Sequence, residues 1–206
     1  MAHPDDIEFF CGGTVLLLTD RGVVVDFVLV TSGDKGTREA SLTSAALVAL
    51  REEEQRRAAV VLGVSSEVRF LRQPDAEVVD SLELRAALVR EIRLSRPDVL
   101  LTFDPTPGYR QHPDHRVVGR VALDAAWPCA RDRLSFPTRD LGPHETAEAW
   151  CFSGPDPDLV VDVSSVLDRK IGARLEHRSQ TRWPPALRSR WQGTANPERF
   201  KQVDLR

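Results

Sequence analysis

The stretch Val23 to Val30, with the sequence VVVDFVLV, decides the fold class of this chain. Its β-branched residues are typical of a strand that is buried on both faces, as in a parallel sheet. A second apolar run, Asp98 to Phe103 (DVLLTF), has the same character. Helical patterns alternate with these runs, which indicates an α/β fold that is Rossmann-like, with a mainly parallel sheet and helices on both faces.

Turn residues and hydrophobic periodicity place the remaining elements. Five helices are predicted, at Gly13 to Thr19, Ser44 to Leu62, Ser81 to Leu94, His115 to Trp127 and Ser165 to His177. Three further strands are predicted, at Val68 to Leu71, Ala147 to Ser153 and Leu159 to Val163. Because no repeat or linker interrupts this pattern, we expect a single domain over residues 1–206.

Composition excludes several classes of partner. The 206 residues carry a formal net charge of −3, so the sequence offers no overall basic character for nucleic acid or an anionic membrane. No apolar run approaches the ~20 residues of a membrane span. The three cysteines are odd in number and lack a paired spacing, which is typical of reduced thiols. We therefore expect a cytoplasmic protein that binds neither nucleic acid nor membranes.

Two short clusters of histidine and carboxylate residues carry the chemistry, at His3 to Asp6 (HPDD) and at His112 to His115 (HPDH). Imidazole and carboxylate are ligands of Zn²⁺, and a catalytic zinc takes three protein ligands and keeps one position open. Two histidines and one carboxylate meet that need and leave a carboxylate for proton transfer. The clusters therefore predict metal-assisted hydrolysis.

Both clusters are expected at the carboxyl ends of parallel strands, where open α/β sheets bind their ligands. The second cluster follows the strand Asp98 to Phe103, and the first leads into the helix that begins at Gly13. Only Met1 and Ala2 precede the first cluster. We therefore expect that its leading strand is truncated and that the native chain begins upstream.

Each cluster alone also fits a simpler interpretation. Asp is a good helix N-cap and Pro favours turns, so an isolated HPDD or HPDH is typical of a turn or a helix start. The occurrence of both clusters in one chain favours the metal site.

The same motifs resemble a known family. Ala2 to Glu8 reads AHPDDIE, Gly12 to Thr14 reads GGT, and the HPDH at His112 to His115 is intact. This pattern resembles the LmbE/PIG-L family of zinc-dependent de-N-acetylases of N-acetylglucosamine-bearing substrates. Weaker matches follow in order, at Thr31 to Asp34, Arg51 with Glu54, Pro74-Asp75, and His177 with Ser179-Gln180. Two departures are a loop before HPDH that is one residue longer than usual, and Ala76 in place of glycine.

The resemblance implies roles for the cluster residues. The implied zinc ligands are His3, Asp6 and His115. Asp5 is implied as the general base that activates the attacking water. His112 is implied to stabilise the oxyanion or to protonate the leaving amine, with Asp114 orienting its ring. The spacing agrees, since a turn can aim His3 and Asp6 at one ion.

Three further residues are candidates for substrate binding: Arg51, Asp75 and Tyr109. Arg51 has an alternative as the partner of Glu54 in an i,i+3 ion pair on a helix surface. Asp75 lines the sugar pocket or caps a turn. Tyr109 lies beside the second cluster and is an alternative oxyanion donor to His112.

The implied function is removal of the acetyl group from an N-acetylglucosamine-type amide, with a small-molecule N-acyl amino sugar as substrate and Zn²⁺ as cofactor. One alternative is a related amidase of a thiol conjugate or an antibiotic intermediate, and another is an inactive homologue that binds sugar or metal. His177 is expected to be structural or to contact the rim of the site. Trp183 and Trp191 are candidates to face a ligand or a neighbouring subunit, which leaves a homo-oligomer open.

Overall fold

The computed structural model describes residues 1–106, 111–181 and 197–206. Tyr109, Trp183 and Trp191 lie outside these residues, so the expectations for them stay predictions. The chain divides into two compact units. Unit 1 comprises Met1–Asp75 and Val160–Glu198, and unit 2 comprises Ala76–Leu159 and Arg199–Arg206. The expectation of a single domain over residues 1–206 also stays a prediction.

The described residues form α-helices and β-strands in alternation. The helices are α1 (Asp6–Phe10), α2 (Gly12–Thr19), α3 (Ser44–Val61), α4 (Leu82–Ser95), α5 (Pro113–Asp124) and α6 (Leu167–Glu176). The strands are β1 (Val28–Thr31), β2 (Arg69–Gln73), β3 (Val99–Phe103), β4 (Glu148–Phe152), β5 (Leu159–Val161) and β6 (Glu198–Asp204). A π-helical turn (Ala125–Ala130) follows α5, and a 3-10 turn (Ser164–Val166) precedes α6.

The sheet of unit 1 is parallel. β1 pairs with β2, with Val28 opposite Arg69. Leu29 and Val30 are fully buried, as predicted for a strand covered on both faces. The prediction that this strand begins at Val23 is wrong, because pairing with β2 starts only at Val28 and Val24 is 79% exposed.

The helices of unit 1 begin and end where local chemistry dictates. The hydroxyl of Thr43 accepts a hydrogen bond from Ala46 N at 3.2 Å and caps the start of α3. Gly63 follows the end of α3 with a φ of 76°, a left-handed conformation that stops the helix without a Cβ penalty. α3 packs against α6, which also contacts α1 and α2. This packing places α3 and α6 around the first cluster, His3 to Asp6.

The strands of unit 2 form a mixed sheet in which β4 lies between β3 and β6. β4 is parallel to β3 and antiparallel to β6. The rings of Phe103, Phe152 and Phe200 pack together in its core. β6 is not predicted from the sequence, because its residues, ERFKQVD, contain no continuous apolar run.

The α/β class is confirmed, with parallel pairing of β1 with β2 and of β3 with β4, and antiparallel pairing of β4 with β6. Within the described ranges, the helices are all too short or too polar to cross a membrane.

Candidate active-site residues

The first cluster begins beside β1. Val30 N donates to Met1 O at 2.8 Å, and Thr31 N donates to Ala2 O at 2.9 Å. The amino group of Met1 donates to Val28 O at 2.7 Å. Two residues are therefore enough to align the backbone with β1 and to deliver His3 near its carboxyl end. The upstream start of the native chain stays a prediction.

His3 is buried between two carboxylates. Its Nδ1 lies 3.4 Å from Asp6 Oδ2, and its Nε2 lies 3.1 Å from Asp75 Oδ1. Burial lowers the pKa of the imidazole, but the hydrogen bonds and charges of Asp6 and Asp75 outweigh it and raise the pKa of His3 to about 10. A metal ion needs the neutral ring, so metal and proton compete for this site.

The carboxylates of Asp5 and Asp6 contact different partners. Its Oδ2 lies 2.8 Å from Arg174 Nη1, and its Oδ1 lies 3.6 Å from Arg51 Nη2. Asp6 instead accepts a hydrogen bond from His3 N at 2.7 Å. Burial raises the pKa of Asp5, whereas the two guanidinium groups oppose this effect. The two consecutive carboxylates therefore have different partners, as their predicted roles of base and ligand require.

The interpretation of the first cluster as a helix N-cap is not supported by the side chain of Asp5. Asp5 precedes α1 at the capping position, but its carboxylate makes no capping hydrogen bond.

Arg51 and Asp75 are buried, and both contact other residues of unit 1. Arg51 donates to Pro4 O at 2.7 Å and to Gly33 O at 3.1 Å, and its Nη1 lies 3.9 Å from Asp75 Oδ2. The alternative partner of Arg51, Glu54, accepts from Ser179 N and Oγ. The predicted contacts of Arg51 and Asp75 with substrate stay predictions.

In unit 2, the second cluster opens α5. His112 is the N-cap, and its Nδ1 accepts from Asp114 N at 3.2 Å, so the helix-start interpretation of HPDH is correct for this histidine. Pro113 occupies the first turn, where no N–H is needed. In this geometry Nδ1 of His112 is unprotonated, which leaves Nε2 as the ring donor.

The side chain of Asp114 is fully buried. It accepts hydrogen bonds from Ala76 N at 2.7 Å and from Val78 N at 3.3 Å. Its carboxylate lies 4.0 Å from His112 Nδ1, which is too long for a hydrogen bond. Asp114 thus ties the start of α5 to the backbone before α4, and it contacts the ring of His112 through its backbone N–H rather than through its carboxylate.

His115 lies in the first turn of α5 and stacks on Phe103, with ring centroids 3.9 Å apart and planes 14° apart. Gly119, one turn further, allows α5 to approach the carbonyl of Phe103, where a Cβ would overlap the oxygen. The ring centroids of His112 and His115 are 5.4 Å apart. The second cluster therefore lies at the carboxyl end of β3, as predicted.

Several buried residues near the motifs were not predicted. Glu198 accepts from Gly13 N at 2.8 Å and Thr14 N at 2.7 Å, and it pairs with Lys170 at 2.6 Å. The GGT motif thus presents its helix N-terminus to a carboxylate. The two glycines indicate that another group approaches the backbone closely here, but nothing in the sequence identifies Glu198, 185 positions away, as that group.

His177 is fully buried, and its Nε2 lies 3.0 Å from Glu8 Oε2. This placement favours the structural interpretation of His177 over a contact at the rim.

The sequence of this chain matches the model of a known protein family. The model of the PIG-L family, described as GlcNAc-PI de-N-acetylase, matches residues 1–126. The chain belongs to the PIG-L family. Both histidine clusters lie within the matched residues, so the resemblance predicted from the motifs is confirmed.

Similar members of the PIG-L family are named as deacetylases. The diacetylchitobiose deacetylase of Thermococcus kodakarensis is 33% identical over 195 residues, which cover 91% of this chain and 73% of that protein. A probable N-acetyl-alpha-D-glucosaminyl L-malate deacetylase 2 of Bacillus anthracis is 29% identical, covering 86% and 78%. These names agree with the prediction of an amide-hydrolysing deacetylase.

A solved PIG-L structure confirms the fold. The N,N'-diacetylchitobiose deacetylase from Pyrococcus horikoshii, complexed with its inhibitor MPG, matches with a TM-score of 0.89 and 30% identity. The match covers 98% of this chain and 81% of that one.

Proposed function

We propose that this PIG-L protein is a metal-dependent hydrolase that removes the acetyl group from an N-acetylglucosamine-type sugar in the cytoplasm. The observation that carries the proposal is the burial of His3 between Asp6 and Asp75 within an intact PIG-L motif. A buried histidine with two carboxylates forms a cluster of net negative charge, which favours a bound cation.

The donor set fits Zn²⁺. His3, Asp6 and His115 offer two imidazoles and one carboxylate, which are ligands that catalytic zinc takes in proteins. His115 belongs to unit 2, and its place in this set follows the family pattern. When bound, Zn²⁺ supplies a Lewis acid that activates water and polarises the acetamide carbonyl.

The remaining cluster residues then move protons and stabilise charge. Asp5 takes a proton from the attacking water, as the family pattern implies, and the ion pairs with Arg51 and Arg174 hold its carboxylate in place. His112 donates from Nε2 to the oxyanion, or passes a proton to the leaving amine. Tyr109 stays the alternative oxyanion donor.

The names of the similar deacetylases share an N-acetylglucosamine unit, and this supports the same chemical class of substrate here. Arg51 and Asp75 are proposed to contact the sugar hydroxyls. Amidases of thiol conjugates or antibiotic intermediates differ in the group beyond the acetamide, which none of these residues defines.

The test uses metal-depleted protein, to which Zn²⁺ is returned before N,N'-diacetylchitobiose or an N-acetylglucosaminyl thiol conjugate is added. Acetate release measured by a coupled assay should depend on the metal and should occur with the sugar substrate. Acetate release from the thiol conjugate alone would favour that alternative. Stoichiometric zinc without turnover on either substrate would instead support an inactive binding homologue.

A further inference from the structure

The backbone at Asp5 adopts an unusual conformation. Its φ is 97° and its ψ is −17°, which places a non-glycine residue in the left-handed region. L-residues adopt this region rarely, because Cβ crowds the following carbonyl. Such a conformation persists only where the surrounding structure enforces it, and it is concentrated at functional sites.

Two residues of α3 hold the peptide bond that precedes this strained residue. Arg51 donates to Pro4 O at 2.7 Å, and Gln55 Oε1 accepts from Asp5 N at 3.0 Å. Residues four apart in a helix lie on the same face. One face of α3 therefore binds both the carbonyl and the N–H of a single peptide unit.

The amide group of Gln55 has only one orientation that satisfies its neighbours. Its Nε2 donates to Glu8 Oε1 at 2.8 Å, so its Oε1 is left to face Asp5 N. The second carboxylate oxygen of Glu8 lies 3.0 Å from His177 Nε2 on the far side. Gln55, Glu8 and His177 are all fully buried. The hydrogen bond from Gln55 Nε2 to Glu8 is therefore what leaves Gln55 Oε1 as the acceptor for Asp5 N.

We infer that Gln55 is a positioning residue that acts through the backbone of Asp5. Together with Arg51, it holds the Pro4–Asp5 peptide in the orientation that places the Asp5 carboxylate against Arg174. The inference rests on the proposed role of Asp5 as general base. Gln55 itself touches neither reacting atoms nor metal ligands in this scheme.

Gln55→Leu tests the inference, because it keeps a side chain of similar size and removes the acceptor for Asp5 N. We expect kcat to fall by about 10²-fold, the effect of misplacing a catalytic group by about 1 Å. KM and zinc content should stay near their wild-type values, since the contacts of His3 and Asp6 are retained.

A matched control separates positioning from general loosening. Glu54 neighbours Gln55 on α3, is equally buried, and holds Ser179 rather than the first cluster. Glu54→Gln should lower the melting temperature without lowering kcat comparably. Equal losses of kcat in the two variants at equal stability would overturn the inference.

A double-mutant cycle with Asp5→Asn tests whether Gln55 acts through Asp5. Effects of residues that act through one another are not additive. Adding Gln55→Leu to Asp5→Asn should leave the residual kcat nearly unchanged. A further loss as large as in the wild-type background would contradict the inference.

Two measurements keep the test valid if activity or folding is lost. Native-state hydrogen exchange of the Asp5 amide, followed by NMR in metal-free protein, should be slow in wild type and much faster in Gln55→Leu. Unchanged protection would overturn the inference even if no substrate is turned over, whereas lack of wild-type turnover alone would refute only the proposed function. If Gln55→Leu does not fold, the double variant Gln55→Glu with Glu8→Gln keeps an acceptor for Asp5 N and a donor–acceptor pair between the two side chains, and it should retain slow exchange. Loss of protection in the folded double variant would also overturn the inference.

Discussion

Gly119 lets α5 lie directly against β3, and its replacement gives a sharp prediction. A Cβ at Gly119 would overlap the Phe103 carbonyl oxygen and lie 3.0 Å from the carbonyl carbon. These are backbone atoms, so no side-chain rotation relieves the contact. Gly172 in α6 is a matched control, because a Cβ there would lie 3.9 Å from Val61 Cγ1, an ordinary contact distance.

The two alanine variants should change stability in opposite directions. Ala is favoured over Gly in a helix interior by up to about 1 kcal/mol, and this gain is available to Gly172→Ala. In Gly119→Ala the same gain is outweighed by overpacking, which typically costs about 1–3 kcal/mol. For a chain of this size, each kcal/mol shifts the melting temperature by roughly 2–4 °C.

Calorimetric melting and steady-state kinetics check this pair of variants. Gly119→Ala should melt below wild type, and Gly172→Ala at or above it. Because His112 caps α5 and His115 lies in its first turn, Gly119→Ala should also lower kcat, by up to about 10²-fold for a shift of about 1 Å. A Gly119→Ala protein as stable and active as Gly172→Ala would refute the close packing of α5 on β3.

Three further predictions concern charge. Glu198→Gln leaves Lys170 buried without its ionic partner and should lower the free energy of urea unfolding by about 3–5 kcal/mol. Adding Lys170→Met should recover part of this loss, whereas additive losses in the double variant would contradict the pairing. Hydrogen bonds from Arg72 lower the pKa of Glu52 from 4.5 to about 2, so its stabilisation is present above pH about 4.5 and is lost as pH falls towards 2. In Glu52→Gln, the change in unfolding free energy across that pH range should be smaller than in wild type by only about 1 kcal/mol, because Arg72 is largely exposed and solvent weakens the pair. An unchanged pH profile would count against the pairing. His112→Ala should retain zinc and lower kcat by roughly 10²–10³-fold, whereas wild-type kcat would assign the oxyanion to another donor such as Tyr109.

Local signals predicted the elements whose chemistry is local. The start of α3 was predicted to the residue because Thr43 caps it, and its end to within one residue because Gly63 follows. The start of α5 was predicted at His115 rather than at Pro113, because the metal-site interpretation of HPDH was favoured over its interpretation as a helix start. β6 was missed because its pairing with β4 is made across a long stretch of sequence.

The motif residues could be predicted from their types and spacing, but their supports could not. Gln55 lies 50 positions from Asp5, and Glu198 lies 185 positions from Gly13. Each is an ordinary polar residue in an ordinary helical or strand pattern. Only the packing of α3 and α6 around the first cluster shows that Gln55 and Arg174 meet Asp5.

Comparing Asp5→Asn with Asp6→Asn tests the central claim most directly, since it separates the base from the metal ligand. Zinc content by atomic emission and acetate release from N,N'-diacetylchitobiose are measured on the same preparations. Asp5→Asn should keep stoichiometric zinc and lose about 10²–10⁴-fold in kcat, as expected for a general base, whereas Asp6→Asn should lose the metal together with the activity. Loss of zinc in Asp5→Asn with retention in Asp6→Asn would contradict the assignment, and so would full activity in either variant.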